Sequence, residues 1–158
     1  MDVFLSYHGK GPSLFYVQRA DTTNQIQQIM REISQLVAGG TTALADPRPG
    51  SVCLAQYSDG VWYRARIDGP AQPGRQVRVE FVDFGNSDVV RGDQVAAIPS
   101  SLVTCLPAQA VPCRLAGSYG TQSEGLVQPF LDIVRDNVFR IKVQGAFVSF
   151  LQYFHNCK

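Results

Sequence analysis

The sequence has little of what would hold a polyanion or cross a membrane. Only 17% of its 158 residues are charged, and the formal net charge is +1. Nucleic-acid-binding faces are built from clustered Lys and Arg side chains, so this composition argues against an extended basic surface. No apolar stretch approaches the ~20 residues that a membrane-spanning helix needs. We therefore expect neither a strongly basic face nor a membrane segment.

The chain is also poor in the residues that bind metals. No two cysteines lie two to four residues apart, and the two histidines, His8 and His155, lie near opposite ends. Zinc sites need closely spaced ligands, so we expect no metal and no cofactor. The start, Met1 to Phe4, lacks a basic segment followed by a long apolar one, which favours a reducing, cytoplasmic setting with free thiols. The cysteines are Cys53, Cys105, Cys113 and Cys157.

The first part of the chain predicts two short strands and a helix. Residues 3–5 and 14–17 are β-prone. Apolar residues then recur every three or four positions from Ile26 to Val37, after a polar run that suits a helix start and before two glycines that suit a helix end. This pattern predicts an amphipathic helix over about 22–38.

The last part predicts a strand, a second helix and two more strands. Residues 110–115 are β-prone and contain Pro112, which places this strand at a sheet edge because proline cannot donate a ladder hydrogen bond. A loop from Gly117 to Gln122 precedes a helical pattern over 123–134, where Pro129 predicts a kink or a later start. Residues 138–143 and 147–154 complete the set as strands.

Between these flanks lie five short β-prone runs, at 52–57, 62–67, 77–84, 87–90 and 95–98. Asp59 and Gly60 form a tight-turn signal between the first two. Five strands in about fifty residues predict a small, strongly bent barrel over 48–98. The flanks are too short to fold alone, so we expect residues 1–45 and 105–158 to pair as an outer lobe around the inserted barrel. The predicted fold class is α+β, mainly β with two helices.

The barrel concentrates aromatic residues around two predicted turns. Tyr57 and Tyr63 flank the first turn, and Phe81 and Phe84 lie where the third strand ends. A cation within about 6 Å of a ring centre is attracted by roughly 0.5–2 kcal/mol. Methylation keeps the charge of a guanidinium but removes hydrogen-bond donors, so the group leaves water at lower cost. The amide oxygen of Asn86 can accept the remaining N–H, which predicts a methylarginine pocket.

Three residues next to these rings are predicted to have structural roles. Any one aromatic residue alone is more often core than ligand contact. Strand alternation points Trp62 to the face opposite Tyr63, so we expect it in the core. Asp83 has no partner carboxylate or histidine nearby in sequence, and we expect it to bond backbone or a nearby arginine, Arg64 or Arg66. Gly85 suits a tight turn.

Two segments resemble the extended Tudor family. Residues 55–66, AQYSDGVWYRAR, resemble the first Tudor hairpin, and residues 79–86, VEFVDFGN, resemble the Tudor signature strand and turn. The flanks are similar in pattern to the staphylococcal-nuclease-like, OB-type lobe of that family. The resemblance covers nearly the whole chain. Two positions of the motif carry Phe where some members have Tyr, which keeps the ring and loses a hydroxyl.

The resemblance implies a function as well as a fold. It implies a non-catalytic reader of symmetrically dimethylated arginine in Arg-Gly or Arg-Ala motifs, in the tails of Piwi-family proteins. It further implies a monomeric domain of a larger scaffold protein in cytoplasmic, perinuclear germ granules (nuage) of the piRNA pathway, with RNA bound only indirectly. In the family motif the aromatic positions of the methylarginine pocket fall on Tyr57, Tyr63, Phe81 and Phe84, and the amide position falls on Asn86.

Three rival functions are considered beside this reader. A nuclease needs clustered carboxylates for a metal, and those of the outer lobe are scattered. A single-stranded RNA-binding module would use the OB-type lobe, but the near-neutral charge does not favour it. A methylation-independent peptide-binding Tudor scaffold is the third. If the chain binds methylarginine, we expect the rest of the peptide to leave the aromatic pocket along a groove between the lobes. The outer-lobe carboxylates are Asp2, Asp21, Glu32, Glu124, Asp132 and Asp136.

Overall fold

The computed structural model describes residues 1–70, 73–116, 118, 124–135, 137–144 and 147–154, with the backbone alone for residues 124, 143–144 and 147–154. The predicted loop from Gly117 to Gln122, apart from Ser118, lies outside the described residues, as do Asp136, His155 and Cys157. By their internal contacts the residues divide into two units: 1–23 together with 109–158, here the outer unit, and 24–108, here the barrel unit.

Apart from one short helix, the described strands and helices follow the predicted order. The strands are β1 (Asp2–Tyr7), β2 (Phe15–Arg19), β3 (Val52–Gln56), β4 (Trp62–Ile67), β5 (Gln76–Phe81), β6 (Ser87–Arg91), β7 (Val95–Ala96), β8 (Val111–Cys113), β9 (Val138–Gln144) and β10 (Phe147–Phe154). The helices are α1 (Thr23–Ala38), α2 (Ser100–Thr104) and α3 (Glu124–Val134). The predicted α+β class is confirmed. Within the described residues, every helix is too short or too polar to span a bilayer.

The outer unit is one sheet built from both flanks of the chain. Its strand order is β10-β9-β1-β2-β8, so β2 pairs with β8 and β1 with β9 across the intervening barrel sequence. Phe15 and Val17 of β2 are fully buried and pack with Phe130 and Val134 of α3. The two flanks of the chain therefore contribute strands to the same sheet. β8, with Pro112, lies at the sheet edge as predicted, and α3 runs through Pro129.

The barrel unit is a five-stranded antiparallel sheet in the order β6-β5-β4-β3-β7. All five strands contribute to one core cluster, because alternate residues of each strand point to the same side. In β4 these are Ala65 and Ile67, both 1% exposed. Cys53 of β3 lies opposite Ala65 in the register and is fully buried. The predicted five-stranded arrangement is confirmed.

Helix α1 groups with the barrel unit, whereas the sequence led us to count it with the outer lobe. Its buried residues Ile29 and Ile33 pack against Leu54 of β3, Ala96 of β7 and Leu102 of α2. The helical stripe therefore covers the side of the barrel sheet that faces away from the barrel core. This packing moves the unit boundaries to residues 23 and 108.

Two local predictions need correction. β5 ends at Phe81 rather than continuing to Phe84, because the backbone N–H of Gly85 donates to the Phe81 carbonyl at 2.8 Å and closes a turn. Gly85 has a φ of 91°, which glycine adopts without strain. The short helix α2 was not predicted; its one buried residue, Leu102, is too little for a periodic signal.

Candidate binding site

Four aromatic side chains of the barrel unit meet at one end of its sheet. Ring centroids lie 5.3 Å apart for Tyr57 and Phe81, 5.7 Å for Tyr63 and Phe81, 5.2 Å for Tyr63 and Phe84, and 6.5 Å for Tyr57 and Tyr63. The planes of these pairs are inclined by 77° to 80°. Edge-to-face pairs at such distances add about 0.5–1.5 kcal/mol beyond their burial. We call these four residues the aromatic cluster; its rings stand nearly at right angles to one another.

The four rings differ in how much they present to solvent. Phe81 is only 1% exposed, so it forms the base of the aromatic cluster. Tyr57, Tyr63 and Phe84 are half-buried and pack against the barrel core from its edge. Three rings therefore have surface that a ligand can contact, above one ring that supports them.

The turn between β3 and β4 fixes two of these rings. The backbone N–H of Tyr57 donates to the Val61 carbonyl at 2.9 Å, and Gly60, with a φ of 82°, lies between them. The carboxylate of Asp59 accepts hydrogen bonds from the Val61 backbone N–H at 2.9 Å and from the Tyr63 hydroxyl at 2.7 Å. Burial, together with the hydrogen bond and charge of Asp59, raises the pKa of Tyr63 to about 12. The hydroxyl thus stays protonated and its ring is held in place.

Asp59 is a residue that sequence reasoning missed as part of the site. The Asp-Gly pair indicated a tight turn and nothing more. Its side chain reaches Tyr63, four residues later, because the turn brings the two strand ends together. The sequence offers only a weak signal for this hydrogen bond: a carboxylate in a hairpin turn, four residues before a tyrosine of the second strand. Whether the two groups meet depends on the rotamers of both side chains.

The turn from Phe81 to Asn86 carries the other half of the site. The backbone N–H groups of Phe84 and Gly85 both donate to the Phe81 carbonyl, at 3.1 Å and 2.8 Å. The Phe81 N–H donates in turn to the Asn86 carbonyl at 2.9 Å. This closed loop places Phe84 beside Tyr63 and leaves Asn86 half-buried at the start of β6.

A buried ion pair anchors this second turn. Arg64 donates from Nε and Nη2 to the two carboxylate oxygens of Asp83, at 2.9 Å and 2.6 Å, and both residues are 4% exposed. The remaining guanidinium N–H groups donate to the carbonyls of Leu102, Leu106 and Pro107 at 2.6 Å to 3.1 Å. Arg64 therefore ties the turn that carries Phe84 to α2 and the segment after it.

The charge state of this pair follows from its surroundings. Burial lowers the pKa of Arg64, but the hydrogen bonds and charge of Asp83 raise it by more, so the pKa is raised overall. Of the two arginines considered for Asp83, the structure selects Arg64. Arg66 pairs with Glu80 on the surface instead.

Trp62 lies on the other face of β4 from Tyr63, as alternation predicts. It is half-buried and packs against the cluster formed by α1, α2 and the outward side of the sheet. Tyr63 packs against the barrel core. Neighbouring residues of one strand thus belong to two different clusters.

The described residues offer little to a metal ion or a nucleophilic mechanism. No group of three or more His, Cys, Asp or Glu residues among them is placed to hold a metal. Cys53, Cys105 and Cys113 are free thiols. Burial raises the pKa of Cys53 to about 12 and that of Cys113 to about 11, so neither forms a reactive thiolate near neutral pH.

Comparison with known proteins identifies the family of this chain. The Tudor domain family model matches residues 1–117. The chain is 36% identical to human Tudor domain-containing protein 6 over 139 residues, which is 86% of this chain and 6% of that protein. It is 31% identical to Tudor domain-containing protein 1 of Oryzias latipes over 144 residues, 88% of this chain and 12% of that protein. The chain thus spans about an eighth or less of these relatives.

Solved structures match the fold over nearly the whole chain. The extended Tudor domain TD3 of mouse TDRD1, in complex with a MILI peptide containing dimethylarginine, superposes with a TM-score of 0.81 at 23% identity, covering 99% of this chain and 83% of that one. A complex of Tudor with Aubergine that carries a symmetrically dimethylated arginine gives a TM-score of 0.78 at 25% identity, covering 99% and 94%. The chain belongs to the Tudor domain family and has the extended Tudor fold.

Proposed function

We propose that this chain binds symmetrically dimethylated arginine in Arg-Gly or Arg-Ala segments, and that the aromatic cluster with Asn86 is the binding site. The observation that carries the proposal is the convergence of four rings at centroid distances of 5.2–6.5 Å beside the half-buried Asn86. Both halves of this set lie on closed turns whose hydrogen bonds fix the positions of the rings. Side chains that are fixed by their own turn lose less entropy on binding.

The chemistry of the cluster favours a methylated cation. Ring faces attract a cation by roughly 0.5–2 kcal/mol each, and more when water is excluded. The Tyr63 hydroxyl already donates to Asp59, so the exposed part of this ring is its π-face and edge. An unmodified guanidinium would leave up to five N–H donors facing rings that cannot accept them well. Dimethylation removes two of these donors and keeps the charge.

Asn86 supplies the polar contact that the rings lack. Its amide oxygen accepts an N–H from the guanidinium and holds the group in one plane. Asp59, fixed beside Tyr63, adds a negative charge at the rim that suits a cationic peptide. Binding is the function that this arrangement supports, with no chemical step.

The partner follows from the chemistry and from the relatives. The mouse TDRD1 domain and Tudor form their complexes with MILI and Aubergine segments that carry dimethylarginine. We infer that the natural partner here is an arginine-methylated tail of a Piwi-family protein, bound by a larger scaffold in germ granules. Fluorescence imaging of the tagged full-length protein in germ cells tests the granule assignment.

Calorimetric titration tests the binding. Arg-Gly and Arg-Ala peptides, unmodified, monomethylated, and dimethylated symmetrically or asymmetrically, are titrated onto the full chain. We expect the symmetric form to bind in the micromolar range, about −8 kcal/mol, and the unmodified form at least tenfold more weakly. Equal affinity for all forms would replace the methyl reader with a methylation-independent peptide-binding scaffold.

Variants locate the site. Phe84→Ala should weaken binding by about 1–2 kcal/mol because one ring wall is lost, and Asn86→Ala should weaken it through the lost acceptor while the fold persists. Val89→Ala is the matched control, since Val89 is an exposed residue of β6 outside the aromatic cluster. Loss of binding in the control but not in Phe84→Ala would move the site elsewhere.

A further inference from the structure

A second group of rings lies in the outer unit, independent of the aromatic cluster. The Tyr7 ring centroid is 5.4 Å from that of His8 and 6.1 Å from that of Tyr16. Tyr7 and His8 are exposed and Tyr16 is half-buried. The sequence analysis assigned no role to these residues, because they lie at or near the ends of β-prone runs and belong to no motif.

Strand register explains how the rings reach the surface. Tyr16 lies between the fully buried Phe15 and Val17, so its side chain points away from the core of the outer unit. The pairing of β1 with β2 is irregular between Leu5 and Tyr7, which brings Tyr7 opposite Tyr16. Such bulges commonly redirect a side chain. The result is a ring platform at the end of the β1–β2 hairpin.

Two cationic residues lie in the loop next to this platform or contact that loop. Arg114 follows β8, and its Nε donates to the Ser13 carbonyl at 3.1 Å; the Ser13 hydroxyl donates to the Lys10 carbonyl at 3.1 Å. Lys10 and Arg114 are both exposed and belong to the loop that joins β1 and β2 or touch it. Among the described side chains, neither forms an ion pair.

Local charge therefore differs from net charge. Among the described residues seven arginines are paired with carboxylates. In the outer unit the pairs Arg19–Asp21 and Arg140–Asp2 use two of its three described carboxylates. Among the described side chains, these ion pairs offset much of the basic charge elsewhere and leave Lys10 and Arg114 as unpaired cations of the outer unit. The formal net charge of +1 conceals this distribution because it sums over both units.

We propose that this surface, formed by Tyr7, His8, Tyr16, Lys10 and Arg114, binds single-stranded nucleic acid. Exposed rings stack on bases, and nearby cations contact the phosphates, which is how proteins bind single strands without sequence preference. A cationic arginine-rich peptide would be repelled by Lys10 and Arg114, so the surface does not suit a second methylarginine segment. The inference does not depend on the function proposed for the aromatic cluster.

The test uses the full chain and a fluorescein-labelled oligouridylate of about ten nucleotides, followed by fluorescence anisotropy at low and moderate salt. We expect a dissociation constant of roughly 1–100 µM at low salt, in the range of non-specific binding. Tyr7→Ala should weaken binding about fivefold or more through lost stacking, while Tyr7→Phe should keep it. Lys10→Gln and Arg114→Gln should each reduce the slope of log K against log salt by about 0.7.

Matched controls separate this site from general charge and from the aromatic cluster. Arg135→Gln removes one exposed cation of the outer unit, which directly follows the C-terminal end of α3. This variant should change the affinity for the oligonucleotide less than twofold. Phe84→Ala should leave oligonucleotide binding intact, and Tyr7→Ala should leave methylarginine-peptide binding intact. Unchanged melting temperatures exclude unfolding as the cause of any loss.

Several outcomes would overturn the proposal. These are an absence of binding at 50 mM salt, an effect of Arg135→Gln as large as that of Lys10→Gln, or no effect of Tyr7→Ala. Equal affinity for a polyglutamate peptide would show an anion-binding surface for acidic protein segments in place of a nucleic-acid site. Loss of oligonucleotide binding in Phe84→Ala, with none in Tyr7→Ala, would assign the oligonucleotide to the aromatic cluster.

Discussion

Strand β4 presents Tyr63, Ala65 and Ile67 to the barrel core, and Trp62, Arg64 and Arg66 to the opposite face of the sheet. The first face contains apolar groups and ends in the aromatic cluster. The second contains the buried guanidinium of Arg64 and the packing of Trp62 against the helical cluster. Residues that alternate along one strand thus have two different environments.

The difference shows how the proposed site depends on residues that do not line it. Phe84 and Asn86 lie on the turn whose Asp83 is held by Arg64, and Arg64 is held in turn by three carbonyls beyond β7. A shift of the segment from Leu102 to Pro107 would therefore be transmitted to the turn. Support from a second layer of residues is what keeps a binding site in its productive geometry.

The largest effect should follow from removing the whole supporting face. A fragment of residues 48–98 keeps every residue of the aromatic cluster but lacks Ile29 and Ile33 of α1, Leu102, and all three carbonyl acceptors of Arg64. We expect it to be unfolded at 25 °C, since a fifty-residue barrel buries too little surface without these contacts. Residues 20–108, which restore them, should unfold cooperatively in circular dichroism.

NMR of both fragments supplies the control. Dispersed amide signals and a cooperative transition for residues 48–98 would show that the helical face is dispensable. Where residues 20–108 fold, we expect them to bind the symmetrically dimethylated peptide at least about tenfold more weakly than the full chain, or roughly 1.4 kcal/mol. Equal affinity would show that the outer unit contributes nothing to the peptide.

Within the supporting face, Arg64 should matter most. Arg64→Met removes the guanidinium that pairs with the buried Asp83 carboxylate, and removing one member of a buried pair costs about 3–5 kcal/mol. Arg66→Met is the matched control, two residues along the same face of β4. Its pair with Glu80 is surface-exposed, and we expect less than about 1 kcal/mol. Urea unfolding of both variants measures the difference; similar losses would remove the distinction between the buried and the exposed arginine.

The sequence alone predicted the features that depend on the alternation of side chains along a strand and on turn residues. Alternation placed Trp62 and Tyr63 on opposite faces, and the turn residues located both ends of the aromatic cluster. The partner of Asp83 remained open between the backbone, Arg64 and Arg66. Both arginines point to the same face of β4, and only the position of α2 decides between them. Helix α2 has five residues, too few for a 3.6-residue period to be recognised.

The grouping of α1 shows a different limit. Its apolar stripe was plain in the sequence, but a stripe shows that a face is buried without showing what covers it. The same holds for Phe81, which the sequence grouped with the other rings and which the structure buries beneath them. Exposure at this level depends on how sharply the sheet bends, and the sequence pattern does not encode that curvature residue by residue.

Smaller and opposite effects should separate Trp62 from Tyr63. Trp62→Ala removes a half-buried ring from the supporting face and should lower the free energy of unfolding by about 2–3 kcal/mol, below the 3–5 of a fully buried aromatic. Peptide affinity of the folded protein should be unchanged. Tyr63→Ala should instead weaken peptide binding by about 1–2 kcal/mol. Thermal melting and calorimetry on both variants decide; lost binding with unchanged melting for Trp62→Ala would reverse the faces.

The smallest perturbation compares two thiols on the two sides of the same sheet. Cys53 lies opposite Ala65 in the barrel core, and burial raises its pKa to about 12, three units above the ordinary value of 9.0. Cys105 is exposed at the end of α2. Because the thiolate is the reactive form, three pKa units lower its fraction about a thousandfold near pH 8. Iodoacetamide should therefore modify Cys105 within minutes and leave Cys53 intact, as peptide mapping by mass spectrometry can show.

In concentrated urea both thiols should react at similar rates. Arg64→Met should speed the labelling of Cys53 by roughly a hundredfold or more when reaction requires unfolding, since labelling then follows the unfolded population. Labelling of Cys53 as fast as that of Cys105 in the native chain would mean that the barrel core opens without unfolding, and would contradict the rigid inner face on which the aromatic cluster rests.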